Sequence, residues 1–199
     1  MKLEKLDKFY YWQAPIYNFS RKFFLFDRRK ALNFLNIKSS DKVLDFACGT
    51  GLNINYFIKK VPAGNITGID YSNSMLKIAK NKFPDVEFVQ ADVSKHKFGK
   101  KFDKIVSTYS ISMINNWEKS IINAKNSLKK NGTLLILDFY RWHGFIKIFY
   151  PFFKWWLSRH GVDSEKKIIS FLKKHFKKVE INVLKSGYDF MATARGPKS

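Results

Sequence analysis

The stretch LDFACGTGLN, residues 44–53, ends an apolar segment and places a carboxylate just ahead of two glycines. An apolar run that stops at glycines is typical of a buried strand followed by a tight turn. Gly49 and Gly51 allow the backbone to turn sharply and to approach a ligand with no Cβ in the way. The stretch therefore predicts a strand, a ligand-binding loop and a helix in succession.

The segments that follow alternate between strand-like and helix-like patterns. Strands are predicted at 42–48, 65–70, 86–92, 102–110 and 133–139, and helices at 52–61, 72–83 and 117–130. We expect Ser72 to cap the second helix and Asn131-Gly132 to end the third. This alternation is typical of an α/β fold, in which helices cover both faces of a parallel sheet.

The end of the chain departs from that alternation. One more helix is predicted at 165–176, and it precedes two strands at 178–184 and 188–195. The connection between these strands is too short for a parallel crossover, so we expect them to pair antiparallel.

Composition indicates one intracellular domain with an anionic partner. A chain of 199 residues suits a single core, and one cysteine excludes an internal disulfide framework. We find no signal-peptide pattern, no apolar stretch long enough to span a bilayer and no metal-binding motif. The net charge of +21 indicates attraction to nucleic acid, a phospholipid surface or an acidic small molecule, and the alternative is a lysine-rich, solvated surface.

Three carboxylates stand at successive strand ends. Asp45 would repel a pyrophosphate but favours a ligand that carries positive charge, and Ile54 replaces the third glycine of a dinucleotide motif. Asp70 is placed to accept the two hydroxyls of a ribose, and Asp92 to accept from the amine of an adenine. Taken singly, each acid could instead be a helix cap or a turn residue. Together they predict S-adenosylmethionine, which combines an adenosine with a cationic portion.

The motifs VLDFACGTG, GIDYS, VQADVS, FDKIVSTYSISMI and LKKNGTLLILDF resemble those of class I S-adenosylmethionine-dependent methyltransferases over residues 40–140. The resemblance implies a Rossmann-like sheet of seven strands in the order 3-2-1-4-5-7-6, mostly parallel with an antiparallel last strand. It implies S-adenosylhomocysteine as the product, with Cys48 as packing rather than a reactive group. The implied cofactor-binding residues are Asp45, Ala47, Cys48, Gly49, Thr50, Gly51, Asn53, Asp70, Tyr71, Met75, Asp92, Val93 and Thr108.

Aromatic residues concentrate outside the predicted sheet. The segments FYYWQAPIYNFSRKFFLF (9–26) and FYRWHGFIKIFYPFFKWW (139–156) hold 19 of the 34 aromatic residues of the chain. Rings mixed with lysine and arginine suit the headgroup region of a membrane, and the alternative is a lid packed on its own domain. We therefore divide the single domain into an N-terminal aromatic and basic helical cap (1–38), a cofactor-binding core (39–140), a lid or membrane segment (141–162) and a C-terminal helix and strand pair (163–199).

The opening YYWQAPIYN resembles that of bacterial phospholipid N-methyltransferases, and quinone C-methyltransferases share a looser A-P-x-Y pattern. The first resemblance implies a peripheral enzyme at the inner face of the membrane that methylates phosphatidylethanolamine. Tyr17 and Tyr109 would then orient the amine. The implied substrate or membrane contacts are Tyr10, Trp12, Arg21, Arg141, Trp142 and His143.

Two other functions stay open at this point. One is methylation of a quinone or another apolar small molecule. The other is a basic nucleic-acid-binding protein with a decayed cofactor site. We expect no nucleic-acid partner, because the Asn/Asp-Pro-Pro-aromatic sequence of base methyltransferases is replaced by STYSIS, and no separate RNA-binding module fits.

Overall fold

The structure is a computed structural model that describes residues 28–139, 155, 163, 166–184 and 189–198. The strands are β1 (Val43–Phe46), β2 (Ile66–Asp70), β3 (Glu87–Gln90), β4 (Phe102–Thr108), β5 (Leu128–Phe139), β6 (Phe176–Val183) and β7 (Asp189–Pro197). The helices are α1 (Arg28–Asn33), α2 (Ile54–Phe57), α3 (Asn73–Lys82), α4 (Trp117–Ser127) and α5 (Ile168–His175). Short 3-10 turns lie at Ala63–Asn65 and Ile111–Met113.

The seven strands form one sheet in the order β3-β2-β1-β4-β5-β7-β6. Strands β1 to β5 pair in parallel, and β7 runs antiparallel to both β5 and β6. This is the order that the motif resemblance implies, and the fold is the Rossmann-like class I methyltransferase fold. Because β7 runs against its neighbours, its first residue, Asp189, lies beside Phe139 at the carboxyl end of β5.

Two buried apolar clusters cover the two faces of the sheet. Side chains of a strand alternate between faces, so Leu44 belongs to one cluster and Val43 to the other. The first cluster includes apolar side chains of α4 and α5, and the second includes those of α1 and α2. The prediction of helices on both faces is confirmed.

Local signals in the sequence account for one helix fully and for two others only in part. The hydroxyl of Ser72 accepts a hydrogen bond from the amide of Met75, so the predicted cap of α3 is confirmed. The predicted helix over 52–61 is wrong in length, because α2 spans Ile54–Phe57 and the side chain of Ile58 is 43% exposed. A looser turn follows, in which the amide of Val61 still donates to the carbonyl of Phe57.

The predicted end of the third helix is also wrong. Helix α4 ends at Ser127, because Leu128 pairs with Phe102 and starts β5. The pairing register then shifts, and Asn131-Gly132 lie within β5 rather than at a helix C-terminus. In the part of the chain that the structure describes, no helix is long and apolar enough to cross a membrane.

Candidate functional site

The candidate site lies at the carboxyl ends of β1, β2 and β4. These three strands are neighbours and run in parallel, so their last residues meet at one edge of the sheet. In open α/β sheets, ligands bind at this edge, close to the point where the strand order reverses. We call this edge, with Asp45, Asp70, Thr108 and the loop 47–51, the rim.

The loop after β1 adopts the left-handed backbone conformation at three positions. The φ angles of Ala47, Gly49 and Gly51 are 59°, 54° and 76°. Such angles cost a residue with a Cβ about 1 kcal/mol, which explains the glycines at two of these three positions and marks Ala47 as strained. A Cβ at Gly51 would lie 3.1 Å from the ring of Phe83, whereas a Cβ at Gly49 would project into open space. The loop is therefore built for a tight turn with room for a ligand beside Gly49.

Asp45 is fully buried and only half satisfied. Its Oδ1 accepts a hydrogen bond of 2.8 Å from Nδ2 of Asn53, which also donates to Oγ1 of Thr108 at 3.2 Å. Its Oδ2 is buried and has no hydrogen-bond partner among the described residues. A buried carboxylate oxygen without a partner is costly, so a group that donates to it or carries positive charge is expected to bind there.

The protonation of Asp45 reflects this setting. Burial raises the pKa of Asp45 to about 7, and the charge of Asp70 adds to the increase. The hydrogen bond from Asn53 and the charge of Arg28 act in the opposite direction on that pKa. The carboxyl is thus poised between its neutral and ionised forms near pH 7, and a bound cation would favour the ionised form.

Asp70 is held in one orientation by the backbone. Its Oδ2 accepts from the amide of Gly49 at 2.7 Å, and its Oδ1 accepts from the amide of Ser72 at 2.9 Å. A carboxylate oxygen can accept more than one hydrogen bond, so this orientation is compatible with acceptance from a ribose hydroxyl. The arrangement fits the predicted ribose contact and links the glycine loop to the end of β2.

Asp92 acts as a local cap in the structure. Its Oδ1 accepts from both the amide and the hydroxyl of Ser94, at 2.8 and 2.7 Å. Val93 is buried, and its carbonyl accepts from Nδ2 of Asn123 at 2.8 Å. The contact of Asp92 and Val93 with an adenine stays a prediction.

Cys48 packs against the neighbouring strand. Its Sγ lies 3.0 Å from the position that a Cβ on Gly68 would take, and burial raises the pKa of the thiol. A buried thiol with a raised pKa is a poor nucleophile. This environment agrees with the packing role predicted for Cys48.

Tyr109 is buried and engaged with the start of β7. It has a φ angle of 53°, and its hydroxyl donates to Oδ2 of Asp189 at 2.8 Å. The guanidinium of Arg28 lies 5.9 Å from the centre of the Tyr109 ring. The contact of Tyr109 with a methyl acceptor stays a prediction.

The remaining predicted residues divide into those that the structure places and those that it does not describe. Thr50 and Met75 are buried, and Tyr71 is exposed at the start of the loop after β2. The residues outside the described ranges are Tyr10, Trp12, Tyr17, Arg21, Arg141, Trp142 and His143. Of the two aromatic segments, only Phe139 and Trp155 lie within the described ranges, so the membrane or lid role of both segments stays a prediction.

Four charged residues at or near the rim were not singled out from the sequence: Arg28, Asp138, Lys166 and Asp189. Asp138 is fully buried and accepts from the amides of Ser112 and Phe139, at 2.9 and 2.8 Å. The ammonium of Lys166 donates to the carbonyls of residues 111, 112 and 114, at 3.2, 2.7 and 2.8 Å. Asp138 lies near the end of a predicted strand, as Asp45 and Asp70 do, and that signal could have found it.

No group of His, Cys, Asp and Glu side chains within the described ranges could hold a metal ion. The polar groups that converge on the rim are instead a half-satisfied carboxyl, a second carboxylate, an amide and a hydroxyl. Together with the open space beside Gly49, they fit the cationic and adenosine portions of S-adenosylmethionine.

Comparisons with known proteins agree with this geometry. The family model described as "Methyltransferase domain" matches residues 43–132. The ubiquinone/menaquinone biosynthesis C-methyltransferase of Campylobacter jejuni is 32% identical over 152 residues, which are 69% of this chain and 65% of that protein. The demethylmenaquinone methyltransferase of Thermotoga maritima is 30% identical over 112 residues, which are 56% of this chain and 49% of that protein.

The chain spans about half to two thirds of the length of these relatives. Among solved structures, phosphoethanolamine N-methyltransferase 2 of Haemonchus contortus superposes with a TM-score of 0.69 at 18% identity, over 85% of this chain and 52% of that one. At that identity the superposition concerns the fold alone. Fold, rim and family match lead to one conclusion: residues 43–132 match a methyltransferase domain, and the sheet around them has the fold of class I S-adenosylmethionine-dependent methyltransferases.

Proposed function

We propose that this protein transfers methyl groups from S-adenosylmethionine to the amine of a phospholipid headgroup, in phosphatidylethanolamine and its methylated forms. The membrane contact would be peripheral, at the inner face, with no nucleic-acid partner. The observation that carries the choice of an amine is the charge of the rim and its surroundings, described next.

Among the described residues at or near this edge of the sheet, four carboxyl groups accompany two cations, Arg28 and Lys166. Asp45 and Asp70 lie at the carboxyl ends of β1 and β2, and Asp189 pairs with Phe139, the residue after Asp138, where β5 and β7 adjoin. Asp189 is also the partner of Tyr109 at the end of β4. A negative potential at this edge attracts an ammonium and gives a neutral quinone no such attraction.

Methyl transfer from a sulfonium to an amine requires little of the protein beyond the alignment of donor and acceptor. Bound at the rim, S-adenosylmethionine supplies a methyl group on a sulfonium that is already activated for in-line displacement. The amine must lose a proton before it attacks, but it needs no strong base. The described rim residues include no histidine: His96 packs against Phe98, and His175 packs against Phe171.

Hydrogen bonds at the ends of β1 and β4 hold the groups that would align donor and acceptor. Asn53 ties Asp45 to Thr108, so the ends of β1 and β4 keep one relative position. Lys166 and Asp138 hold the turn that follows β4 from its two sides, through the carbonyl and the amide of Ser112. Such contacts keep the end of β4 in place while donor and acceptor are brought together.

A second candidate is methyl transfer to a ring carbon of a quinone. It is supported by two relatives, since that of Campylobacter jejuni is named for ubiquinone/menaquinone biosynthesis and that of Thermotoga maritima for demethylmenaquinone. It also suits the aromatic segments predicted from the sequence, because a quinone is a lipid-soluble substrate. The two candidates share the donor and differ in the charge of the acceptor.

A direct assay separates them. Purified protein is incubated with methyl-labelled donor and either phosphatidylethanolamine vesicles or a reduced demethylmenaquinone in detergent, and the products are identified by mass spectrometry. We expect label in mono- and dimethylated lipid. Label only in the quinone product would replace the first candidate by the second, and label in neither, from protein that binds the donor, would refute both.

Vesicle flotation tests the membrane contact separately. We expect the protein to float with anionic vesicles at low salt, because each lysine or arginine near such a surface contributes about 1 kcal/mol. Protein that stays in solution at low salt, yet methylates lipid dispersed in detergent, would refute the membrane contact and leave the amine acceptor standing.

A further inference from the structure

The two carboxyl groups of the rim, Asp45 and Asp70, should repel the carboxylate of S-adenosylmethionine. The methionine part of S-adenosylmethionine carries an ammonium and a carboxylate beside the sulfonium. Asp45 and Asp70 suit the cations but repel the carboxylate, and they already interact unfavourably with each other, since Asp70 raises the pKa of Asp45. A group that attracts a carboxylate must therefore lie close to these acids.

The glycine loop offers few of its own amides for that purpose. The amide of Cys48 donates to the carbonyl of Ile69 at 2.9 Å, that of Gly51 donates to the carbonyl of Cys48 at 3.0 Å, and that of Gly49 donates to Asp70. Helix α2, which follows the loop, has only four residues. The loop amides and the helix terminus are thus weak candidates for binding a carboxylate.

Arg28 supplies the missing charge from a different element. Its guanidinium lies 5.9 Å from the centre of the Tyr109 ring. Tyr109 directly follows Thr108 in the chain, and the side-chain amide of Asn53 donates hydrogen bonds to both Thr108 and Asp45. Its charge acts on Asp45 and lowers the pKa of that carboxyl. The guanidinium is therefore at the rim, on the side of the end of β4.

Helix α1 holds Arg28 in that position. Ala31 and Leu32, one turn along the helix, are 0% and 2% exposed and belong to the apolar cluster that also contains Tyr109. Arg29, the next residue, is exposed and is not part of that cluster. The packing of α1 thus distinguishes two adjacent arginines.

We propose that Arg28 binds the carboxylate of the methionine part of the cofactor, while Asp45 faces its cationic part. A guanidinium matches the planar, two-oxygen geometry of a carboxylate, which an ammonium does not. The two residues would then recognise the methionine part as a zwitterion. The inference rests on the donor of this domain and not on the acceptor, so a wrong acceptor leaves it intact.

Binding calorimetry with two donors that differ only in the carboxylate tests this role. The probes are S-adenosylmethionine and decarboxylated S-adenosylmethionine. We expect Arg28→Met to raise the Kd of the first about 10- to 100-fold, the usual weight of a hydrogen-bonded charge, and to leave that of the second unchanged. Arg28→Lys should recover part of the loss, and the adjacent Arg29→Met, the matched control, should change neither.

Two outcomes overturn the proposal. One is an equal loss of affinity for both probes in Arg28→Met, which would mean that the residue only supports the fold. The other is a wild-type protein that binds both probes equally well. The second comparison needs no variant, so it decides the matter even if Arg28→Met fails to fold, which binding of 5′-methylthioadenosine and thermal unfolding would reveal.

Discussion

The substitution Asp45→Asn is expected to stabilise the ligand-free protein and to impair its function. Asp45 has an ordinary pKa of 3.8 and a folded-state pKa raised to about 7 by burial. Because the folded state holds the proton more tightly, stability is greatest at low pH and falls as the pH rises from about 4 to about 7. The gap of about 3 pKa units, at about 1.4 kcal/mol each, amounts to at most about 4 kcal/mol.

An asparagine removes this titration and keeps the local hydrogen bond. Its side-chain oxygen can accept from Asn53 as the Oδ1 of Asp45 does at 2.8 Å. In urea unfolding at pH 8 without ligand, we expect Asp45→Asn to be more stable than the wild type by up to about 4 kcal/mol. At pH 4 the difference should fall below about 1 kcal/mol, because the wild-type carboxyl is then neutral in the folded state and only about half ionised in the unfolded state.

Donor binding should show the opposite trend. A cationic ligand favours the ionised carboxyl, so the wild-type affinity for S-adenosylmethionine should rise as the pH passes through about 7 and then level off. In Asp45→Asn the affinity should be lower and lack this rise. The control is Asp85→Asn, which removes an exposed acid outside the rim. Equal stabilities of Asp45→Asn and wild type at pH 8, or a difference that does not change with pH, would refute the reasoning.

Three further substitutions test packing and positioning. Gly68→Ala should destabilise the fold by about 1–3 kcal/mol in urea unfolding, since its Cβ would lie 2.7 Å from the ring of Phe88; an unchanged midpoint would contradict this. Tyr109→Phe should cost about 1–3 kcal/mol by the same measurement, because the carboxylate of Asp189 loses a donor; unchanged stability with a reduced kcat would favour the catalytic role instead. Lys166→Met removes the donor to three carbonyls and should lower both the thermal midpoint and kcat. Lys166→Arg keeps a charged donor and should retain both values. If the arginine variant loses as much stability and activity as Lys166→Met, charge-assisted hydrogen bonding to these carbonyls is not the role of Lys166.

The parts of the fold that the sequence could predict are those set by periodicity and by motif order. The strand order follows from the ordered motifs, and the cap at Ser72 follows from a local hydrogen bond with Met75. The end of α4 could not be predicted locally. Leu128 joins β5 because it pairs with Phe102, which is a contact between distant parts of the chain.

The candidate site shows the same division. Asp45 and Asp70 could be located because the carboxyl ends of parallel strands share one edge. The burial of Asp45, which decides its pKa, depends on the packing of neighbouring elements around β1. Arg28 precedes the recognisable motifs, and only the docking of α1 brings its guanidinium to Tyr109.

The unpartnered oxygen of Asp45 is best understood as a cost that the ligand removes. Nothing in the local fold requires its charge, because Asn53 would donate equally well to an amide oxygen. A fully buried carboxyl that lacks a partner for Oδ2 destabilises the ligand-free protein, and exposure to solvent would relieve it. A ligand that donates to this carboxyl or carries positive charge gains from it, and a cation gains most from the ionised form. Since functional sites are where proteins retain such unfavourable groups, we expect the methyl donor to bind where this feature weakens the empty fold.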